Sequence, residues 1–246
     1  MGHSHNTMIF STDAGIVALD SPVKLKILEL LSQGTTSFDE LVEQSGKAKS
    51  TISVHLDDLE KLNLIQEKNY PDDKRKKYFV LNSMCMAFSQ RPLRNQYNRY
   101  LDNIGISELN DSSFIKHLFY TVRYGIEAYG VDPKPLMKII GNDIGTRIGP
   151  GFKSDNLEGI LDELIAFWNY HEMGNMSVVR DDKLIILIDN CSNMDKMPSL
   201  GKTLCSISEG IIEGILSSRL NLNYDIMETE CFGTGHNRCK FVVEVK

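Results

Sequence analysis

Apolar residues in the first third of the chain recur at helical spacing in three separate stretches. Val23, Ile27, Leu28, Leu30 and Leu31 form one stripe, opened by Ser21-Pro22 and closed by Gly34. Leu41 and Val42 belong to a second, which Ser37 starts with Glu40 three residues on, the spacing of a capping box, and Gly46 ends. Ile52, Leu56 and Leu59 mark a third helix over about residues 49–62, so that Gly46 to Ala48 is a tight turn between helices two and three. The period then falls to two. Residues 64–68 and 77–81 predict short strands joined by the turn signal Tyr70-Pro71-Asp72-Asp73. Three helices followed by a hairpin make a winged helix-turn-helix.

Residues 83–112 are polar and carry Arg91, Arg94 and Arg99, with Pro92 and Gly105 as breaks. Tyr97, Tyr100, Leu101 and Ile104 give a partial stripe, which predicts a helical linker able to pack against a second subunit. Helical patterns follow over residues 114–129, 135–148 and 157–170, and paired strands over 175–180 and 183–189. Residues 200–220 return to helix, with Gly210 and Gly214 on one face to admit another element, and a final hairpin spans 224–232 and 239–245. Helices followed by antiparallel strands predict an α+β domain. The expected organisation is a winged helix-turn-helix at 1–82, a linker or dimerisation segment at 83–112 and an α+β sensor domain at 113–246.

A length of 246 residues at 41% hydrophobic is enough for two modest domains. Apolar runs such as residues 184–188 fall far short of the roughly 20 residues that span a bilayer. Residues 1–9 lack the apolar core of a signal peptide, and His3 and His5 read as a tail rather than a ligand pair. The expected compartment is the cytoplasm. A net charge of −6 excludes a generally basic nucleic-acid binder, so a DNA reader of this composition must concentrate its positive charge. Lys74, Arg75, Lys76 and Lys77 do so on the hairpin. There they would contact phosphates, while Lys49, Ser50, Thr51, Ser53 and His55 on the third helix would meet bases or phosphates in the major groove. Useful affinity for double-stranded promoter DNA then calls for a homodimer on two half-sites.

The stretches 19–31 and 49–59 resemble the opening helix and recognition helix of ArsR-type regulators, a resemblance that covers about residues 12–82. Some members of that family sense metals through cysteines near the recognition helix. Here no cysteine precedes Cys85, so a signal must come from elsewhere in the chain.

The cysteines number five: Cys85, Cys191, Cys205, Cys231 and Cys239. An intracellular chain of this size needs no disulfide framework, which leaves metal ligation or redox chemistry as the expectation for clustered thiols. Cys85 stands apart and reads as a small buried hydrophobe. Cys205 opens a helix while Cys231 and Cys239 flank a glycine turn, so the hairpin sets the latter two across from each other. Cys191 joins them as a redox candidate. A Cys231–Cys239 disulfide or a set of reduced core thiols also satisfies these residues.

Residues 228–241 resemble the end of the 4-vinyl reductase domain, a small-molecule-sensing module, and residues 204–216 resemble its glycine-bearing helix. In related sensor domains that resemblance implies a zinc ion held by Cys205, Glu228, Cys231 and Cys239, a closed structural site. The two modules together are similar to archaeal redox-responsive regulators, which implies control of DNA affinity by thiol state. A competing reading is a pocket for a small apolar effector beside Trp168, His171 and Tyr224, with zinc purely structural. Catalysis is not expected, because no dinucleotide fingerprint, nucleophile elbow or zinc-protease helix is present.

Overall fold

Ser21 with extended backbone and Pro22 at the first helical position launch α1 (Pro22–Ser32), which buries Ile27, Leu28, Leu30 and Leu31. The structure is a computed structural model and describes residues 7–68, 76–102, 111–180, 182–191 and 200–246. Helix α2 (Phe38–Ser45) opens on the expected capping box. The Glu40 carboxylate accepts the Ser37 N–H at 2.8 Å, and Ser37 Oγ accepts the Glu40 N–H at 3.3 Å. Gly46 ends α2 in the left-handed region at φ 64, turning the chain into α3 (Lys49–Lys61), which buries Ile52, Leu56 and Leu59. Strands β4 (Ile65–Lys68) and β5 (Tyr78–Leu81) pair antiparallel, and β3 (Thr36–Ser37) adds to the outer edge of β5. The helices and this sheet share one core.

The apolar pattern gives no sign of the second sheet in this unit. Strands β1 (Met8–Thr12), β2 (Gly15–Leu19), β6 (Met84–Ser89) and β7 (Val131–Asp132) lie in the order β2-β1-β6-β7, all antiparallel. Strand β6 occupies part of the stretch expected to be a helical connector. Segments such as MIFST and MCMAFS show no clean alternation, and their strand character comes from pairing across some 70 residues rather than from local propensity.

The remainder forms the second of two compact units, Pro92–Tyr129 with Pro133–Lys246. It contains helices α4 (Arg94–Asp102), α5 (Asp111–Ala128), α6 (Lys134–Ile148), α7 (Leu157–Tyr170) and α8 (Ser206–Leu220). Its sheet runs β10-β11-β9-β8, built from β8 (Asn175–Arg180), β9 (Leu184–Asp189), β10 (Tyr224–Glu230) and β11 (Arg238–Val245). Every neighbouring pair is antiparallel, so the α+β class expected from the pattern holds. Trp168, Ile186, Ile212, Ile215 and Phe241 fill the core between helices and sheet.

Helices α6 and α8 touch backbone to backbone. A Cβ built on Gly210 would stand 2.0 Å from the Lys138 carbonyl oxygen, and one on Gly141 would stand 2.2 Å from that of Ile207. Helix α8 begins at Ser206, six residues later than residue 200 where the apolar pattern starts. Its start is set instead by a tertiary contact with the β10 strand.

Candidate functional site

Antiparallel register brings the sulfur atoms together. Cys239 on β11 pairs with Ile188 on β9, and Glu228 on β10 pairs with Phe241, just before a bulge between Glu228 and Glu230. Beyond β10 the chain makes a single 3₁₀ turn over Phe232–Thr234, in which the Cys231 N–H donates to Thr234 Oγ1 at 2.9 Å and Gly235 sits at φ 87. Gly233 in that turn leaves no room for a Cβ, which would fall 2.4 Å from the Lys202 carbonyl oxygen. The GTG stretch is thus a hairpin turn and not a phosphate cradle.

Glu228 Oε2 accepts the N–H groups of Leu204 and Cys205 at 3.0 and 2.8 Å. These bonds cap α8 from outside and explain why the helix starts at Ser206. They also place Cys205 against the hairpin. Sγ of Cys205 and Cys239 lie 3.6 Å apart, and Sγ of Cys239 and Cys231 lie 4.0 Å apart. One donor atom each from Cys205, Glu228, Cys231 and Cys239 falls within 4.8 Å of all the others, and all four residues are buried. Behind them the buried Glu209 accepts the Glu228 N–H at 2.7 Å, with Lys134 Nζ 3.8 Å from the same Glu209 oxygen.

The electrostatics of this cluster call for a cation. Burial, reinforced by Cys231, pushes the Glu228 carboxyl up to about 7. Cys205 is pushed up to about 12, chiefly by its hydrogen bond with Cys191, and Cys239 is pushed up through the same neighbour. Cys191, just past the end of β9, is buried and held below the ordinary thiol value by hydrogen bonds from Cys205 and Cys239. Adjacent buried thiols cannot all ionise unaided, whereas a divalent cation reverses that balance and deprotonates its ligands. Glu228 Oε1 is buried without a hydrogen-bond partner, which leaves its lone pairs available to a cation. A tetrahedron with metal–sulfur bonds of about 2.3 Å has edges of about 3.8 Å, between the two sulfur separations found here. The cluster can therefore hold a metal ion. All five cysteines are free thiols.

In the first unit, Lys49, Ser50, Thr51 and Ser53 stand exposed at the start of α3. Lys49 Nζ also contacts Asp39 at 2.8 Å. His55 is only half-exposed, with its Nδ1 enclosed and unpartnered. Lys77 pairs with Glu67 across the hairpin at 2.8 Å, while Lys74 and Arg75 lie outside the described residues. Among these polar and basic groups stands Val54, an apolar side chain 59% exposed on the outward face of α3. The signal was available, because Val54 falls outside the Ile52, Leu56, Leu59 stripe.

The three residues expected beside a ligand pocket differ in their surroundings. Trp168 is fully enclosed in the core, Tyr224 is buried on β10 and His171 is exposed at the end of α7. A cleft of about 310 Å³ lies nearby but is lined by Ile148, Gly151, Phe152, Glu163, Ala166 and Phe167. Trp168 and His171 are near in sequence at the end of α7, but spacing did not reveal that one faces the core and the other faces out.

Comparison with known proteins agrees with this division. Residues 21–67 match the bacterial regulatory protein, arsR family, and residues 184–245 match the 4-vinyl reductase domain. An uncharacterized protein of Methanocaldococcus jannaschii is 28% identical over 132 residues, covering 52% of this chain and 75% of that protein. A second from the same organism is 28% identical over 116 residues, 47% of this chain and 67% of that protein. The crystal structure of a vinyl-4-reductase family protein, also from M. jannaschii, overlaps 65% of this chain and 99% of its own at 16% identity, with a TM-score of 0.40. The chain carries an ArsR-family helix-turn-helix in its N-terminal part and a 4-vinyl reductase domain in its C-terminal part, the composition of a DNA-binding regulator rather than an enzyme. Among the described residues no helix is long and apolar enough to cross a membrane.

Proposed function

We propose that this chain is a homodimeric transcriptional regulator whose affinity for promoter DNA follows the state of a zinc–thiolate centre at Cys205, Glu228, Cys231 and Cys239. The observation that carries this reading is the convergence of those four donors in a chain whose other unit presents a recognition helix. Three sulfurs and one oxygen suit zinc, and four protein ligands leave no open position for catalysis. Bound zinc supplies a cross-link between the start of α8 and the β10–β11 hairpin. The chain's own part is to aim the ligands. Leu204 and Cys205 N–H groups pin one Glu228 oxygen, Glu209 fixes the Glu228 backbone, and the Cys231 turn is locked by Thr234.

The closeness of the sulfurs supports redox control as part of this reading. Two thiolates would give two electrons to hydrogen peroxide, whose O–O bond breaks and which leaves as two waters after taking up two protons. A sulfur–sulfur bond would form between the two cysteines, which would then no longer serve as ligands to zinc. Cys205 and Cys239, with sulfurs 3.6 Å apart, are closer than Cys239 and Cys231 at 4.0 Å, and the buried Cys191 lies in the same core. Gel shifts across reductant and peroxide, with metal content and thiol counting alongside, test this. Wild type is expected to change affinity and release zinc on oxidation, and Cys231→Ala to lose the response. Identical binding in every lane rejects redox control.

On the DNA side, Val54 is positioned to meet a thymine C5-methyl, flanked by Lys49, Ser50, Thr51 and Ser53 for polar contacts. Against duplexes selected from a random library, replacing one thymine by deoxyuridine is expected to weaken wild-type binding about fourfold, one methyl's worth of burial. Val54→Ala should bind both duplexes alike. A wild type indifferent to every such replacement would remove Val54 from base reading.

The cleft lined by Phe152 and Phe167 favours one competing reading, a small apolar effector with zinc purely structural. DNA binding that responds to such a compound and ignores oxidant would select it.

A further inference from the structure

Helix α5 turns charged side chains inward and apolar ones outward. Arg123, Tyr124, Glu127 and Ala128 are buried against the rest of the unit. On the opposite side, Phe114, Ile115, Leu118, Phe119 and Val122, with Tyr129 just past the helix end, are 38–71% exposed. At 3.6 residues per turn these six occupy a single outward face, and among the described residues that face carries no charge. An amphipathic helix buries its apolar stripe against a neighbour, and here that stripe is the side the unit leaves uncovered. Scattered exposed leucines need no explanation, but a contiguous patch of this size marks a contact surface.

We infer that the outward face of α5 is the interface between two copies of this chain, packed helix against helix about a two-fold axis. This rests on the homodimer in the proposed function and supplies the surface that makes it. Periodicity supports a second copy as the occupant. Ile115, Leu118, Val122 and Tyr129 follow the three-, four- and seven-residue spacing of a helix–helix seam, and such a seam complements itself. Area supports it too. With large apolar and aromatic side chains at about 150–250 Å² each, the exposed fractions leave on the order of 600–700 Å² per copy. Two copies then bury roughly 1,300 Å², within the range of stable specific interfaces. A partner with a charged groove would find nothing on this face to pair with.

Sedimentation of the full chain at low-micromolar concentration tests the inference with Val122→Glu and Leu118→Glu. Ile16→Glu serves as the control, because Ile16 is 69% exposed on β2 and belongs to no such stripe. Wild type and Ile16→Glu are expected to sediment as two chains, and the two α5 variants as single chains of 27.8 kDa with unchanged far-UV circular dichroism and thiol count. Should a glutamate variant lose its helical signal, Val122→Ser is the second test, expected to raise the dimer dissociation constant about tenfold over the control. A wild type that sediments as one chain overturns the inference, as do folded α5 variants that remain dimeric. The two readings fail separately. A wild-type dimer that selects no sequence from a random duplex library ends the DNA reading and leaves the interface standing. A monomer that selects one does the reverse.

Discussion

A chain carrying Cys239→Ala, or the wild type stripped by a strong chelator, is expected to lose the folded state of its second unit at ambient temperature while the winged-helix unit melts as before. The magnitude decides between the readings of the sulfur cluster. A structural zinc site contributes on the order of 10 kcal/mol to folding, comparable to the whole stability of a typical domain. Without a metal, truncating one small buried thiol costs only about 1 kcal/mol. The two units have separate cores, one around Leu41, Leu56 and Leu59 and one around Trp168, Ile215 and Phe241, so their transitions should resolve in differential scanning calorimetry. Metal analysis should give one zinc per chain in wild type and none in Cys239→Ala. A chelated sample whose two transitions stay in place would show that Cys205, Cys231 and Cys239 are reduced core thiols.

Gly210→Ala is expected to destabilise the second unit by about 3 kcal/mol or more, against the sign that helix propensity alone gives. Alanine inside a helix is favoured over glycine by about 1 kcal/mol. At this position the added methyl would fall 2.0 Å from the Lys138 carbonyl oxygen, which is backbone and cannot step aside. The contact is reciprocal. A Cβ on Gly214 would fall 2.4 Å from the Asn142 carbonyl oxygen, and one on Gly145 of the other helix 2.2 Å from that of Ile211. One methyl therefore forces α6 and α8 apart along their whole contact. Helix α8 has Cys205 at its N-cap and Glu209 one turn later, so the separation should also disturb the sulfur cluster. Urea unfolding followed by circular dichroism, with zinc content measured on the same sample, reads both effects. A variant more stable than wild type by about 1 kcal/mol would mean that the helices do not approach this closely.

Much of the fold was open to inspection in the residues themselves. The helix-turn-helix could be read because its signals are local: a capping box within four residues at Ser37 and Glu40, a left-handed stop at Gly46, a stripe through Ile52, Leu56 and Leu59. The final hairpin was legible for the same reason, since strands that flank a glycine turn have only one near partner. That hairpin sets Cys231 and Cys239 near each other, whereas Cys205 joins them through the long-range bonds to Glu228. Features that depend on partners distant in the chain were not legible. Strands β1 and β6 exist because they pair with each other, and MIFST and MCMAFS carry no alternation to announce it. Gly210 and Gly214 marked a close approach, but that Gly141 and Gly145 receive it depends on how α6 lies across α8. Helix α8 starts at Ser206 because a carboxylate from residue 228 takes the N–H groups ahead of it, a bond between residues more than twenty apart. Periodicity shows that a face of α5 is apolar, and only packing reveals that this face is the one left uncovered. Local spacing along a chain specifies which elements form and which way they face. Which elements meet is set by long-range burial, register and hydrogen bonding, and these exist only after the chain has closed on itself.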